Sequence, residues 1–146
     1  MPPLYPPLYA LAIWQPWAEA VARGLKDVEN RNWPPPVERI GKLLAIHAGL
    51  TYDEAGELYL LRRGVALPSR SSLDRGAIIA VARLAGRSTC STSPWAEHGV
   101  WHWLLADVVR LANPVRCRGA QQIWRVPDAV ARRVLAQLPV DVQGQR

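Results

Sequence analysis

The apolar residues of this chain come in short runs broken by glycine, proline and polar segments. That spacing constrains the fold more than any other feature. LYALAI at 8–13, KLLAIH at 42–47, bounded by Gly41 and Gly49, and GAIIAVARL at 76–84 have the length and apolar character of strands. Residues 100–111 read as a longer strand, Asn113-Pro114 as its turn, and 115–117 and 122–126 as two short strands. Helical signals fall at 16–23, 51–63 and 128–138. The first has proline near its first turn, Gly24 as its stop and Trp17, Ala20 and Val21 as its buried stripe. The second opens on a Thr51-to-Glu54 capping box and stops at Gly64; the third carries Val130, Val134 and Leu138 on one stripe. About six short strands and three helices, without strict βαβ alternation, predict an α+β barrel rather than a doubly wound sheet.

The remaining segments frame one domain at 8–139. Residues 1–7 hold four prolines and are expected to form a disordered arm, and 140–146 a frayed tail. Residues 26–33 are polar and run into Pro34-Pro35-Pro36, which predicts a surface loop. Two further loops are expected at 67–75 and 86–99. No apolar run approaches the ~20 residues of a membrane span, and the first residues lack a signal-peptide pattern, so a cytoplasmic monomer is the expectation. Cys90 and Cys117 lie far apart and have no metal-ligand spacing with the three histidines. They read as reduced thiols, and neither metal nor cofactor is expected.

Charge is uneven along the chain. Residues 1–60 carry two Lys and three Arg against seven acids, net −2; residues 61–146 carry thirteen Arg against five acids, net +8. A basic half suits a polyanionic partner, and it equally suits plain solubility. The chain has seven Trp, four Tyr and no Phe. Indole and phenol rings stack on nucleobases and also fill cores.

The densest polar cluster is GLKDVENRNW, residues 24–33. Lys26 can bind a phosphate, or act as a base if desolvated; Glu29 can accept a base's amino group or move a proton. Arg31 can clamp a phosphate or stack, and Trp33 can serve as a platform. The competing reading is a solvated ion-pair network with Glu29 and Arg31 on one strand face.

WQPWAEAVARGLKDVENRNWPPP followed by GKLLAIHAG resembles the opening signature of the ASCH domain, in which Q-P-W/Y-A precedes G-x-K-x-x-E-x-R-x-W and a strand ending in I-H-A. RGAIIAVARL and TSPWAEHGVWHWLLADVVRLANPVRCRGAQQIWRV resemble that family's later elements, in the same order. The likeness covers about residues 11–126 and is nearest to bacterial stand-alone ASCH proteins and to the animal proteins named for endothelium and lymphocytes. The resemblance implies a PUA-like β-barrel with a cleft beside a helix, RNA binding and, in a few members, an enzymatic step on RNA or modified nucleosides. A small bacterial relative that deacetylates N4-acetylcytidine uses a Lys, a Thr and a Glu. Its Lys falls on Lys26, Glu29 stands where its Thr would be, and Glu97 is the best candidate for its Glu.

On this reading Gln15, Trp17, Lys26, Glu29, Arg31 and His47 surround one pocket, with His47 as a hydrogen-bonded pocket residue rather than a catalyst. Trp17 has core packing as its equal alternative. Trp95 is the better platform, while Trp101 and Trp103 are expected in the core. Arg116 and Arg118, near Arg125, form either a phosphate-binding stripe or a charged edge that discourages strand pairing. Two functions follow: a module that binds RNA or a modified nucleoside by a single base, or a metal-independent hydrolase using Lys26 with Glu29 or Glu97. An adaptor whose cleft takes a protein partner is a weaker third.

Overall fold

The computed structural model describes residues 6–143. The first five residues of the expected arm and the last three of the expected tail lie outside them. The strands are β1 (Tyr9–Gln15), β2 (Val28–Arg31), β3 (Leu43–Tyr52), β4 (Ala77–Ser88), β5 (Trp101–Arg116) and β6 (Ile123–Arg125). The helices are α1 (Trp17–Ala22), α2 (Glu54–Arg62), α3 (Asp128–Leu135) and the single turn α4 (Val140–Gln143). All six strands join one sheet in the order β2-β5-β4-β3-β1-β6, with β1 and β3 parallel and every other pair antiparallel.

Both faces of this sheet are covered. Leu11 and Ile13 of β1, Leu44 and Ile46 of β3 and Trp103 of β5 pack with Ala18 and Val21 of α1. Their neighbours Ala10, Leu43, Ala45 and Val81 point the other way, into a second cluster with Val134 and Leu135 of α3. Burial of both faces explains the continuous apolar runs of β3 and β4. The hydrogen-bond ladder leaves β2 and β6 as open ends. The β2 end nevertheless folds back over the first cluster, where the Arg31 guanidinium donates to the Ala12 carbonyl of β1 at 2.7 Å. This gives the expected barrel-like α+β architecture, with the sheet left open and one side chain bridging β2 to β1.

The expected elements differ from the observed ones at four places. The 26–33 loop contains β2, whose Val28 is buried and whose residues pair with Trp101–Leu104 of β5; the prolines end it rather than prevent it. The strands at 100–111 and 115–117 are one strand. Ile78 pairs with Val115 but Ala80 pairs with Arg110, so the residues between bulge outward and Pro114 needs no ladder N–H. Helix α2 is capped by Asp53, not Thr51, because β3 runs on to Tyr52; the Asp53 Oδ1 accepts the Gly56 N–H at 2.9 Å. Within the expected tail, 140–143 form a helical turn. Trp103 is fully buried as expected, whereas Trp101 is only half-buried, under Arg87.

Helix α1 is buried on nearly all sides and carries a buried carboxylate, Glu19. Arg110 of β5 donates to it twice, at 3.0 and 2.6 Å, and Arg23 once, at 2.8 Å. Burial alone would raise this carboxyl, but the hydrogen bonds and charges of Arg110 and Arg23 outweigh it and hold Glu19 below its ordinary 4.5. A depressed folded pKa contributes stability above the unfolded value, and that contribution is lost as pH falls through the folded value. Glu19→Gln is therefore expected to lower stability by about 1.5–3 kcal/mol near neutral pH. Thermal melts of both proteins should converge as pH falls below the ordinary carboxylate value of 4.5.

Candidate functional site

A cleft of about 350 Å³ lies between α1, β2, α2 and the loop that follows β4. Two residues at the start of α2, Asp53 and Gly56, make its position possible. The Trp17 indole N–H donates to Asp53 Oδ2 at 2.8 Å, so the residue that caps α2 also holds α1. The indole lies directly over Gly56, where an added Cβ would come within 2.4 Å of Trp17 Nε1. One turn further along α2, Tyr59 packs against Trp17 at 5.6 Å between ring centroids and faces Trp95 at 6.5 Å. Trp17, Tyr59 and Trp95 form an aromatic wall.

The floor is charged. Lys26 is 4% exposed; its Nζ donates to the Val28 carbonyl, stands 4.0 Å from Glu29 Oε1 and lies 5.5 Å from the Trp17 ring centroid. Glu29 is 9% exposed. Its Oε1 accepts the Asn30 N–H at 3.1 Å, with Arg31 Nε at 3.9 Å. Its Oε2 is buried and has no partner among the described residues. A buried carboxylate oxygen without a donor is costly, and a ligand donor would relieve it.

The loop holding Trp95 and Glu97 completes the cleft, and it is pinned at several points. Asn30 Nδ2 donates to the Trp95 carbonyl at 2.9 Å, and Asn30 Oδ1 accepts the Glu97 N–H at 3.0 Å. Ser93 donates to Asp27 Oδ1 at 2.6 Å. His102 Nδ1 accepts the Ser91 N–H, so Nε2 carries the proton it donates to the Glu97 carbonyl. A loop this well tied presents Trp95 as a fixed surface.

Of the six residues expected around one pocket, Trp17, Lys26 and Glu29 line the cleft, and Trp95 and Glu97 join them. Gln15 does not. It is buried beneath α1, where its Oε1 accepts the Glu19 N–H and its Nε2 donates to the Asp74 carbonyl. Arg31 stands behind Glu29, occupied with Ala12. His47 lies on the opposite face of the sheet, because it shares strand parity with Leu43 and Ala45. Its Nε2 donates to the Cys117 carbonyl at 2.8 Å and its ring packs on Trp124; burial pushes its pKa down, against the effect of that hydrogen bond. Trp33 packs edge-on against Trp103 in the core. Arg116 and Arg118 are exposed at the end of β5 and beyond it, away from the cleft. Arg125 lies on β6 and pairs with Asp128.

Asn30, from the polar 24–33 cluster, also lines the cleft, and Asp53, Gly56 and Tyr59 line it without having been expected there. Gly56 and Tyr59 are three apart on a helix and so share a face, which was the available signal. Glycine inside an exposed helix normally costs about 1 kcal/mol relative to alanine. Here Gly56→Ala is expected to act in the opposite sense, destabilising by about 1–3 kcal/mol through the clash with Trp17. Denaturant melts check the sign, and Trp fluorescence reports the displaced indole.

A family model described as the ASCH domain matches residues 11–112. The crystal structure of ASCH from Zymomonas mobilis superposes with a TM-score of 0.55 at 14% identity, over 88% of this chain and 94% of that one. A tyrosine-to-phenylalanine mutant of the same protein gives 0.55 at 14% identity, over 90% and 98% of the two chains. No curated protein matches the sequence. These structures support the fold, and the family model spans well over half of the sequence: the chain belongs to the ASCH domain family.

Proposed function

We propose that the cleft binds a single nucleobase, normal or modified, presented by RNA or by a free nucleotide. The observation that carries this reading is the unpartnered Glu29 Oε2 beside Lys26, beneath the Trp17–Tyr59–Trp95 wall. A carboxylate acceptor next to an ammonium donor complements a base edge that sets an amino donor beside a ring or carbonyl acceptor. The rings supply stacking, worth about 1–3 kcal/mol per base. The PUA-like fold and the RNA association of ASCH domains agree with such a ligand.

Calorimetric titration with a panel of ribonucleosides, modified nucleosides and short RNAs tests this. Glu29→Gln or Lys26→Ala should weaken binding of the preferred member by about 10- to 100-fold, the loss of one charged hydrogen bond. RNA affinity should also fall steeply with salt as phosphate counterions are released. No binding by any member at low salt, or unchanged affinity in both variants, refutes the reading.

One observation favours hydrolysis as a second reading. Lys26 is held out of water, 4.0 Å from a carboxylate, an arrangement able to activate water toward an amide such as that of N4-acetylcytidine. In that reading Glu29 or the exposed rim residue Glu97 moves the proton. The described residues hold no group of three His, Cys, Asp or Glu placed to share a cation. The expectation is that Lys26→Ala abolishes turnover of that nucleoside while a chelator leaves wild-type turnover intact. Turnover that survives Lys26→Ala, or that a chelator stops, ends this version.

A further inference from the structure

Arg63, the C-cap residue of α2, lies where the aromatic wall meets solvent. Its guanidinium carbon sits 4.3 Å from the Tyr59 ring centroid and 5.6 Å from that of Trp95. Both rings belong to the cleft. Stacking uses the face of a guanidinium and leaves its in-plane N–H donors free, and that planar fork matches the oxygens of a phosphate. No side-chain hydrogen bond or ion pair occupies the Arg63 fork among the described residues. Arg70 offers the contrast: it stacks on Tyr52 in the same way, but Glu54 and Glu57 fill its fork at 3.0 Å each.

We propose that Arg63 is a phosphate-reading residue at the mouth of the cleft, so that the ligand is a phosphorylated nucleoside and not a free base or nucleoside. This rests on the base-binding reading of the cleft. A base stacked along Tyr59 and Trp95 has its phosphate one sugar away, at the rim where the free fork stands. The two rings hold the guanidinium in place before a ligand arrives, which reduces the side-chain entropy lost on binding. The phosphate is either the terminal group of a mononucleotide or a phosphodiester within a strand; the chemistry recognised is the same.

The test compares three probes on the full chain: a ribonucleoside, its 5′-monophosphate, and a trinucleotide of the same base with no terminal phosphate. The base is the one that binds best in the nucleoside panel. Wild type should prefer one of the phosphate-bearing probes over the nucleoside by about tenfold or more. Preference for the monophosphate assigns a terminal phosphate, and preference for the trinucleotide alone assigns a phosphodiester. Arg63→Ala should remove the preference while leaving nucleoside affinity within about threefold. Arg62→Ala removes the same charge from the same helix end, without the ring contacts, and should keep the preference. Equal affinity for all three probes in wild type, or a preference that survives Arg63→Ala, overturns the proposal. Loss of the preference in both variants overturns it as well, since it would make the effect general electrostatics. If none of the probes binds wild type, the base-binding reading itself fails and the Arg63 assignment fails with it.

Discussion

The Trp17 indole N–H donates to the carboxylate that caps α2, and the indole lies on the one α2 residue without a side chain. This contact joins two helices that the sheet alone would leave independent. Helix α1 is already fixed to the barrel by Glu19 and Arg110. Asp53 and Gly56 transmit that position to α2, and α2 then carries Tyr59 and Arg63 to the wall and rim of the cleft. The loop that brings Trp95 to the same wall is placed independently, by Asn30, Asp27 and His102. The hollow is thus bounded by two separately fastened segments, with the Lys26–Glu29 pair at its floor.

Charge along the chain and charge in space differ. Acids of the first half meet arginines of the second: Glu19 with Arg110, and Glu54 and Glu57 with Arg70. Arg83 and Arg125 find acids nearby, in Asp107 and Asp128. Arg70, Arg83, Arg110 and Arg125 are therefore occupied within the fold. What remains at the cleft is more selective, namely one buried ammonium, one carboxylate oxygen without a donor and one stacked guanidinium at the rim. Such a site favours a specific small group over a long basic track.

Strands buried on both faces were legible as apolar runs, which is why β1, β3 and β4 appear near their expected positions. β2 was not legible. VENR has one apolar residue, and its strand character comes from pairing with Trp101–Leu104, some seventy residues away. The Lys26–Glu29 part of the site was readable because its residues are close in sequence and chemically costly to bury singly. His47 was misplaced for a parity reason. Leu44, Ile46 and Ala48 face α1, so the odd-numbered positions face α3, and a strand ending in I-H-A cannot bring its histidine to the α1 side. Gln15 has the correct parity, alongside Leu11 and Ile13, but is consumed by the N-terminus of α1. Cleft residues on α2 required knowing which helix packs against Trp17, and no local pattern states that.

A base that enters between Trp17, Tyr59 and Trp95 must perturb the indole N–H groups beside it. Assigned indole N–H signals of the seven tryptophans, followed by ¹H–¹⁵N NMR during titration with ribonucleoside 5′-monophosphates, test it most directly. The Trp17 and Trp95 signals should shift together and saturably, while those of Trp103 in the core and Trp124 on the opposite face stay in place. Saturable shifts confined to Trp14 or Trp124, or no shift in any indole at millimolar ligand, would rule out a base in this cleft.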